Sequence, residues 1–170
     1  RMRNDAGGLV CVALTDAVCT AFDLPFLADE IDHPATEAAH LGYDERSSFS
    51  LTVNHRDTFT GVTDADRALT ISELGRAAAA PDEVDFAATF RSPGHVHLLR
   101  AAPGLVAERR GHTELALTLA AAADREPAVV VCEMLDADTG GARSPADARA
   151  YADREGLVYV EGADLVAGLD

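Results

Sequence analysis

Lysine and tryptophan are both absent from the 170 residues, and aromatic side chains make up only 5% of them. All 14 basic residues are arginine, against 29 acids, which gives a formal net charge of −15. Such an acid excess disfavours nucleic acid as a partner. Because the acids are scattered and do not form one run, they are typical of a surface that keeps a protein soluble in high salt. A docking site for a basic partner is the less favoured explanation.

Long hydrophobic runs and paired cysteines are also missing. No apolar stretch reaches membrane length, and the sequence has no recognisable signal peptide. Its cysteines, Cys11, Cys19 and Cys132, are odd in number and form no CxxC pair, which argues against a disulfide framework and against a zinc finger. We therefore expect a reduced, cytoplasmic protein without a membrane partner. At this length, with 48% hydrophobic residues, it should form one globular domain over residues 1–170.

Apolar runs and helical segments follow one another without a regular βαβ rhythm. Strands are predicted at 9–14, 48–54, 96–100, 128–132 and 157–160. Helices are predicted at 15–22, 68–80, 82–90, 113–123, 144–156 and 163–167, and tight turns at 91–95 and 136–141. This order predicts an α+β fold, with a mixed β-sheet layered with helices in a single domain.

The segment 109–114, Arg-Arg-Gly-His-Thr-Glu, combines charge, a glycine and a helix start. Thr113 is predicted to cap the helix that follows. The unpaired N–H groups of that helix N-terminus, next to Arg109 and the flexible Gly111, would make an anion site. His112 stands at its mouth as a candidate metal ligand or general base.

Three further features carry possible chemistry. Glu133 follows a predicted buried strand, where open α/β sheets tend to place functional groups. His95 lies beside a glycine at a strand start and suits acid–base work, although a lone histidine there is more often structural. The segment 55–67, dense in hydroxyls and charges, is favoured as a turn held by Asp and Thr side chains. The alternative is a phosphate loop in which Thr60 and Gly61 donate to the anion.

Seven stretches, in order over nearly the whole chain, together resemble the 3,4-dihydroxy-2-butanone 4-phosphate synthase family of riboflavin biosynthesis, in its archaeal, single-function form. The stretches are 5–11, 47–50, 54–56, 58–67, 90–96, 109–114 and 132–134. Each is weak alone, but the ordered set is specific. The resemblance implies conversion of D-ribulose 5-phosphate to 3,4-dihydroxy-2-butanone 4-phosphate and formate with Mg²⁺ or Mn²⁺, by a homodimer with active sites at the subunit interface.

The resemblance also assigns roles to residues. It implies a substrate-binding and metal-binding segment consisting of Arg109, Arg110, Gly111, His112 and Thr113, in which His112 is the metal ligand and the Arg110 side chain points away. Glu133 matches the essential glutamate, which contacts the substrate and transfers protons or binds the metal through water. His95 matches the essential histidine, an acid–base group or the partner of one. Thr60 is expected near the phosphate.

One departure from the family affects the expected activity. Relatives carry an acidic loop, Arg-Glu-x-Glu-x-Asp, upstream of the position that matches Arg1, and nothing in these residues matches it. The chain would then hold about half of the metal site, so we expect these residues alone to be inactive or weak. The alternative is a catalytically dead sugar-phosphate-binding module or dimer partner. A different metal-dependent sugar-phosphate lyase or isomerase is a weaker third reading.

Overall fold

The structure, a computed structural model, describes residues 1–36 and 47–168. By its internal contacts the chain divides into two compact units, one of residues 11–130 and one of residues 1–10 and 131–170. Within the described ranges, no helix combines the length and the apolar character needed to cross a bilayer. A helical turn, which the sequence also allows near residues 36–40, would lie largely outside the described residues.

A mixed four-stranded sheet organises the first unit. In chain order its strands are β1 (Cys11–Leu14), β2 (Phe49–His55), β3 (Phe90–Arg100) and β4 (Ala128–Val131), and their order in the sheet is β2-β3-β1-β4. β1 pairs with β3 in parallel, with Cys11 opposite His97, whereas β2 pairs with β3 antiparallel. The predicted α+β class with a mixed sheet is therefore confirmed.

Seven α-helices complete the regular structure of the described residues. They are α1 (Asp16–Ala21), α2 (Leu27–Glu30), α3 (Asp64–Ala79), α4 (Phe86–Thr89), α5 (His112–Ala122), α6 (Pro145–Glu155) and α7 (Gly162–Ala167). Single helical turns occur at Met2–Ala6, Pro34–Thr36, Pro81–Glu83 and Leu105–Ala107.

Local sequence signals explain where several of these helices begin or end. Thr15 accepts a hydrogen bond from the Val18 N–H at 3.4 Å, Ser144 accepts one from Asp147 at 3.1 Å, and Gly156 ends α6 with φ of 63°.

The hydrophobic core of the first unit lies where β1, β2 and β3 pack against α1 and α3. Its members are Val12, Leu14, Val18, Cys19, Phe22, Leu24, Val53, Leu74, Ala77, Ala78, Phe90, Val96 and Leu98. Cys11 is also buried, at 2% exposure, as predicted for a core cysteine. This core packs β2 and β3 together, and both strands carry candidate site residues.

Several element predictions need correction at their ends or altogether, among them the helix predicted at 82–90, of which only Phe86–Thr89 is α-helical. α3 begins at Asp64 and not near residue 68, because Thr63 caps it by accepting the Asp66 N–H at 3.1 Å. Residues 157–160 form no strand, and Val158 is 89% exposed. An apolar run becomes a strand only where a second strand can pair with it. β4 is only half-buried, which fits its place at the edge of the sheet.

The faces of β2 also differ from a strict alternation. Phe49 is 38% exposed and Ser50 is buried, whereas the alternation of residues 48–54 predicts Phe49, Leu51 and Val53 on the core face. An irregularity in the pairing with β3 between Phe49 and Thr52 explains the change, since a one-residue shift moves side chains to the opposite face.

A second irregularity replaces the tight turn predicted for residues 91–95. These residues belong to β3, but Val53 pairs with Val96 while Asn54 pairs with Arg91. Residues 92–95 therefore bulge out of the ladder, and their polar groups bond to side chains of β2. The Gly94 N–H donates to Thr52 Oγ1 at 3.1 Å. A bulge of this kind redirects side chains, and here it sets the direction of His95.

Candidate active site

The N-terminus of α5 has no side-chain cap. Gly111 is its N-cap residue, and Thr113 lies inside the first turn and is buried. The prediction that Thr113 caps the helix is therefore wrong, because the helix begins one residue before Thr113, at His112. The first N–H groups of α5 have no capping side chain, and they carry the partial positive charge of the helix end. This end of α5 meets the requirements of an anion site.

A buried ion pair lies directly beside this helix end. The Glu114 carboxylate is fully buried, and its Oε2 is 2.5 Å from Arg109 Nη1. Its other oxygen accepts the Ala102 N–H at 3.1 Å. Glu114 therefore fixes the Arg109 guanidinium and balances its charge, so an anion at this position would meet an oriented arginine.

Gly111 lies directly against this ion pair. A Cβ atom added at Gly111 would lie 2.1 Å from Arg109 Nη1 and 2.8 Å from Glu114 Oε2. A larger residue would therefore shift the Arg109 guanidinium from its present position. By contrast, His112 and Arg110 are exposed on either side of Gly111. The structure thus brings Arg109, Gly111, His112 and Thr113 together at one helix end.

His95 lies in the bulge of β3 against Asn54, a residue to which the sequence analysis gave no role. Asn54 is fully buried, whereas His95 is exposed. Asn54 Oδ1 accepts the His95 backbone N–H at 2.9 Å, and Asn54 Nδ2 lies 3.1 Å from His95 Nδ1. The ring edge that carries Nδ1 is therefore held against a buried amide.

The loop that contains Thr60 is closed by one carboxylate. Asp66 accepts hydrogen bonds from the N–H groups of Phe59, Thr60 and Gly61 at 3.4, 3.2 and 2.8 Å. These bonds, above all that from Gly61, lower the pKa of Asp66. The arrangement agrees with the favoured interpretation, a turn held by side-chain caps. The contact of Thr60 with phosphate stays a prediction.

Glu133 belongs to the unit of residues 1–10 and 131–170 and follows the end of β4. Its Oε2 accepts the Leu9 N–H at 2.8 Å, and its carbonyl oxygen accepts the Gly8 N–H at 3.1 Å. A Cβ atom at Gly8 would lie 2.6 Å from Glu133 Oε2. The exposed carboxylate is thus held by the backbone N–H of Leu9, next to Gly8, where a side chain would have no room. Its catalytic role stays a prediction.

The described residues do not complete a metal site. Within residues 1–36 and 47–168, no three side chains of His, Cys, Asp or Glu are grouped so that they could hold an ion. His112 offers one imidazole, whereas Mg²⁺ prefers oxygen ligands in octahedral geometry. The loop histidine His33 accepts the Ala35 N–H at 3.0 Å, and His40 lies outside the described ranges.

Asn54, Glu114 and Asp66 were given no individual role from the sequence, although each lies in a stretch that the sequence singled out. Only weak signals marked them. Asn54 is a polar residue in a strand that ends at a histidine, Glu114 is an acid in the first turn of a helix, and Asp66 lies three residues after a threonine. The partners of Asn54 and Glu114 depend on the tertiary fold.

Comparison with known proteins gives a consistent answer. The profile of the family described as 3,4-dihydroxy-2-butanone 4-phosphate synthase matches residues 1–168. Proteins of that name from Archaeoglobus fulgidus and Methanosarcina mazei are each 47% identical to the chain over 97% of its length, which covers 74% and 72% of theirs.

Solved structures agree with the sequence relatives. A 3,4-dihydroxy-2-butanone 4-phosphate synthase in complex with two magnesium ions is 32% identical and superposes with a TM-score of 0.79, over 99% of this chain and 76% of that one. The Candida albicans enzyme of the same name is 28% identical, also with a TM-score of 0.79, over 99% and 75%. The resemblance seen in the seven stretches is thus confirmed, and the chain belongs to the 3,4-dihydroxy-2-butanone 4-phosphate synthase family, whose members are lyases of riboflavin biosynthesis.

Proposed function

We propose that this protein converts D-ribulose 5-phosphate to 3,4-dihydroxy-2-butanone 4-phosphate and formate, and that the uncapped end of α5 binds the phosphate of the substrate. The observation that carries the proposal is the arrangement at this helix end, in a chain that belongs to the family. Free N–H groups, an oriented Arg109 and the exposed His112 lie together there. These are the donors that a phosphate monoester requires.

Holding the phosphate end matters because the reaction rearranges the carbon skeleton. The sugar must be enolised, must lose one carbon as formate, and must not leave before both steps are complete. An anchor remote from the reacting carbons keeps them in place throughout. At the reacting carbons of the sugar, we propose His95 as a hydrogen-bonding or acid–base group. We propose Glu133 as a group that transfers protons there.

We propose Mg²⁺ as the cofactor, with Mn²⁺ as a possible substitute, because a related solved structure contains two magnesium ions. When bound, the metal would supply positive charge next to sugar oxygens on which negative charge develops. His112 would be one ligand. The described residues supply no group of three ligands, so we propose that an acidic loop of the kind that the family resemblance implies supplies further carboxylates. These residues alone should then release formate weakly or not at all.

The remaining family expectations are proposals as well. We propose a homodimer, a cytoplasmic location and a salt-rich native environment, the last because of the net charge of −15. Sedimentation of the purified chain in high salt tests the first of these.

Formate release tests the proposed function directly. The chain and a version extended at its N-terminus with the matching segment of a relative would be incubated with D-ribulose 5-phosphate and Mg²⁺ in high salt. Formate would be measured with formate dehydrogenase. We expect release from the extended chain, and a loss of about 10²- to 10⁴-fold in kcat for Glu133→Gln. The exposed Glu126 offers a matched control, because Glu126→Gln should leave the rate unchanged.

A second candidate function is a sugar-phosphate-binding module without catalysis. The absence of a three-ligand metal group in the described residues favours it. The same experiment separates the two functions. Formate release by the extended chain contradicts the module, whereas binding of the phosphosugar without release by either chain contradicts the enzyme.

A further inference from the structure

Asn54 is a fully buried amide that contacts only one edge of the His95 imidazole. The bulge at residues 92–95 takes His95 out of the β2–β3 ladder, so its backbone N–H has no ladder partner. Asn54 Oδ1 supplies that partner at 2.9 Å. The same amide then reaches the ring, since its Nδ2 lies 3.1 Å from His95 Nδ1 and its Oδ1 lies 3.3 Å from that atom.

The backbone bond decides which way the amide faces. The His95 N–H can only donate, so the amide atom opposite it must be the oxygen, and this fixes the amide nitrogen as the atom nearest to Nδ1. An amide nitrogen can only donate as well. Nδ1 lies nearer to this donor, at 3.1 Å, than to Oδ1, at 3.3 Å, and the shorter contact is satisfied when Nδ1 accepts and the neutral ring carries its proton on Nε2.

The packing around Asn54 prevents the amide from turning over. A Cβ atom at Gly61, whose φ is +91°, would lie 2.1 Å from Asn54 Nδ2, so the Gly61 backbone closes directly over the amide. A Cβ atom at Gly94 would lie 2.0 Å from the Val53 carbonyl carbon, so the bulge also lies tightly on β2. Two close approaches that only glycine permits thus enclose the Asn54–His95 pair.

We propose that Asn54 is the positioning residue for His95 and holds its neutral ring with the proton on Nε2, the ring nitrogen away from the amide. The proposal rests on the proposed function and deepens it. With this tautomer, His95 acts on the sugar phosphate as a hydrogen-bond donor. Its Nε2–H would donate to the sugar oxygen on which negative charge grows as the ketose enolises. No proton needs to leave the ring, and Asn54 itself does not touch the substrate.

The tautomer can be measured without any activity. Nitrogen-15 NMR of the histidine side chains, at a pH where the ring is neutral, distinguishes a protonated Nε2 from a protonated Nδ1. His95→Gln assigns the signals by removing one set. We expect the proton on Nε2 in the unmodified chain. In Asn54→Asp an oxygen replaces Nδ2, and the proton should move to Nδ1. A proton on Nδ1 in the unmodified chain would overturn the proposal.

Activity of the N-terminally extended enzyme gives the second readout. Asn54→Asp and Asn54→Ala should lower kcat roughly 10- to 100-fold with little change in KM, as is usual when a group that orients a functional histidine is lost. Thr52→Ala is the matched control, because it removes the other side-chain bond to the same bulge, to the Gly94 N–H, without touching the ring. It should leave the tautomer unchanged and affect kcat much less.

The outcomes separate the inference from the proposed function. If Asn54→Asp folds, releases formate at the unmodified rate and keeps the proton on Nε2, the positioning role is wrong and the lyase function stands. If the extended chain binds the phosphosugar but releases no formate while the NMR assignment holds, the lyase function fails and the tautomer assignment stands. Equal losses of kcat in Thr52→Ala and Asn54→Ala would reduce Asn54 to a structural support of the bulge and overturn the proposal.

Discussion

Replacing Glu114 by glutamine should destabilise the protein through the ion pair that orients Arg109. Glutamine keeps nearly the same volume and can still accept the Ala102 N–H, so the change removes mainly the negative charge opposite the guanidinium. Breaking a fully buried ion pair on one side costs about 3–5 kcal/mol, and a hydrogen bond to a charged group contributes about 1.5–3 kcal/mol.

The exposure of the partner decides between these values. The Glu114 side chain is 0% exposed but that of Arg109 is 26% exposed, so water can solvate part of the guanidinium that remains. We therefore expect a loss of about 2 kcal/mol in the free energy of unfolding. For a chain of this length, that loss corresponds to a decrease of roughly 4–8 °C in Tm.

Thermal and urea unfolding, followed by circular dichroism in one buffer, measure this effect. Glu108→Gln is the control, because Glu108 is exposed, lies just before the site and accepts only the Gly104 N–H in a loop. It should change the free energy of unfolding by less than about 0.5 kcal/mol. Equal stability of Glu114→Gln and the control would show that the ion pair adds no net stability, and the reasoning about Arg109 would fail.

Three further predictions concern pH, thiol reactivity and salt. Hydrogen bonds from the Gly61, Phe59 and Thr60 N–H groups lower the pKa of Asp66, so its contribution to stability is present above the unfolded pKa of about 3.9 and is lost as pH falls through the lower folded value. The difference in urea midpoint between Asp66→Asn and the unmodified chain should therefore shrink in acid. A difference that stays constant with pH would contradict this prediction. Burial raises the pKa of the Cys19 thiol to about 12, so iodoacetamide at mildly alkaline pH should not label Cys19 in the folded chain. Mass spectrometry measures the labelling, and early modification of Cys19 would contradict this prediction. Since the net charge is −15, raising KCl from about 0.1 M to about 1 M should screen the repulsion and raise Tm, and a lower Tm would count against a salt-adapted surface.

Features with a local cause could be predicted from the sequence. Thr15 and Ser144 cap their helices, and Gly156 ends α6, because capping depends on residues within one turn. The segment from Arg109 to Thr113 could be singled out as a candidate anion site for the same reason. The exact cap could not, because Thr113 is also an acceptable capping residue, whereas in the structure Gly111 is the N-cap and Thr113 is buried in the first turn.

Features that depend on distant residues could not be predicted. Asn54 and His95 are 41 positions apart, and their contact requires both the β2–β3 pairing and the bulge that interrupts it. The Ser-Pro-Gly sequence before His95 is typical of a turn, so local propensity suggested the wrong structure there. In the same way, residues 157–160 have the composition of a strand but no strand beside them. Tertiary pairing, which a single sequence does not display, decides such cases.

The claim that the phosphate binds at the start of α5 is tested most directly by amide chemical shifts. The ¹H–¹⁵N spectrum of the chain would be followed as D-ribulose 5-phosphate is added, with ribulose as the control that lacks the phosphate. With D-ribulose 5-phosphate, the largest chemical-shift changes should fall on the His112 and Thr113 amides, because these N–H groups have no capping side chain. Ribulose should not shift them. Unchanged His112 and Thr113 amides, with shifts at Thr60 and Gly61 instead, would contradict the account.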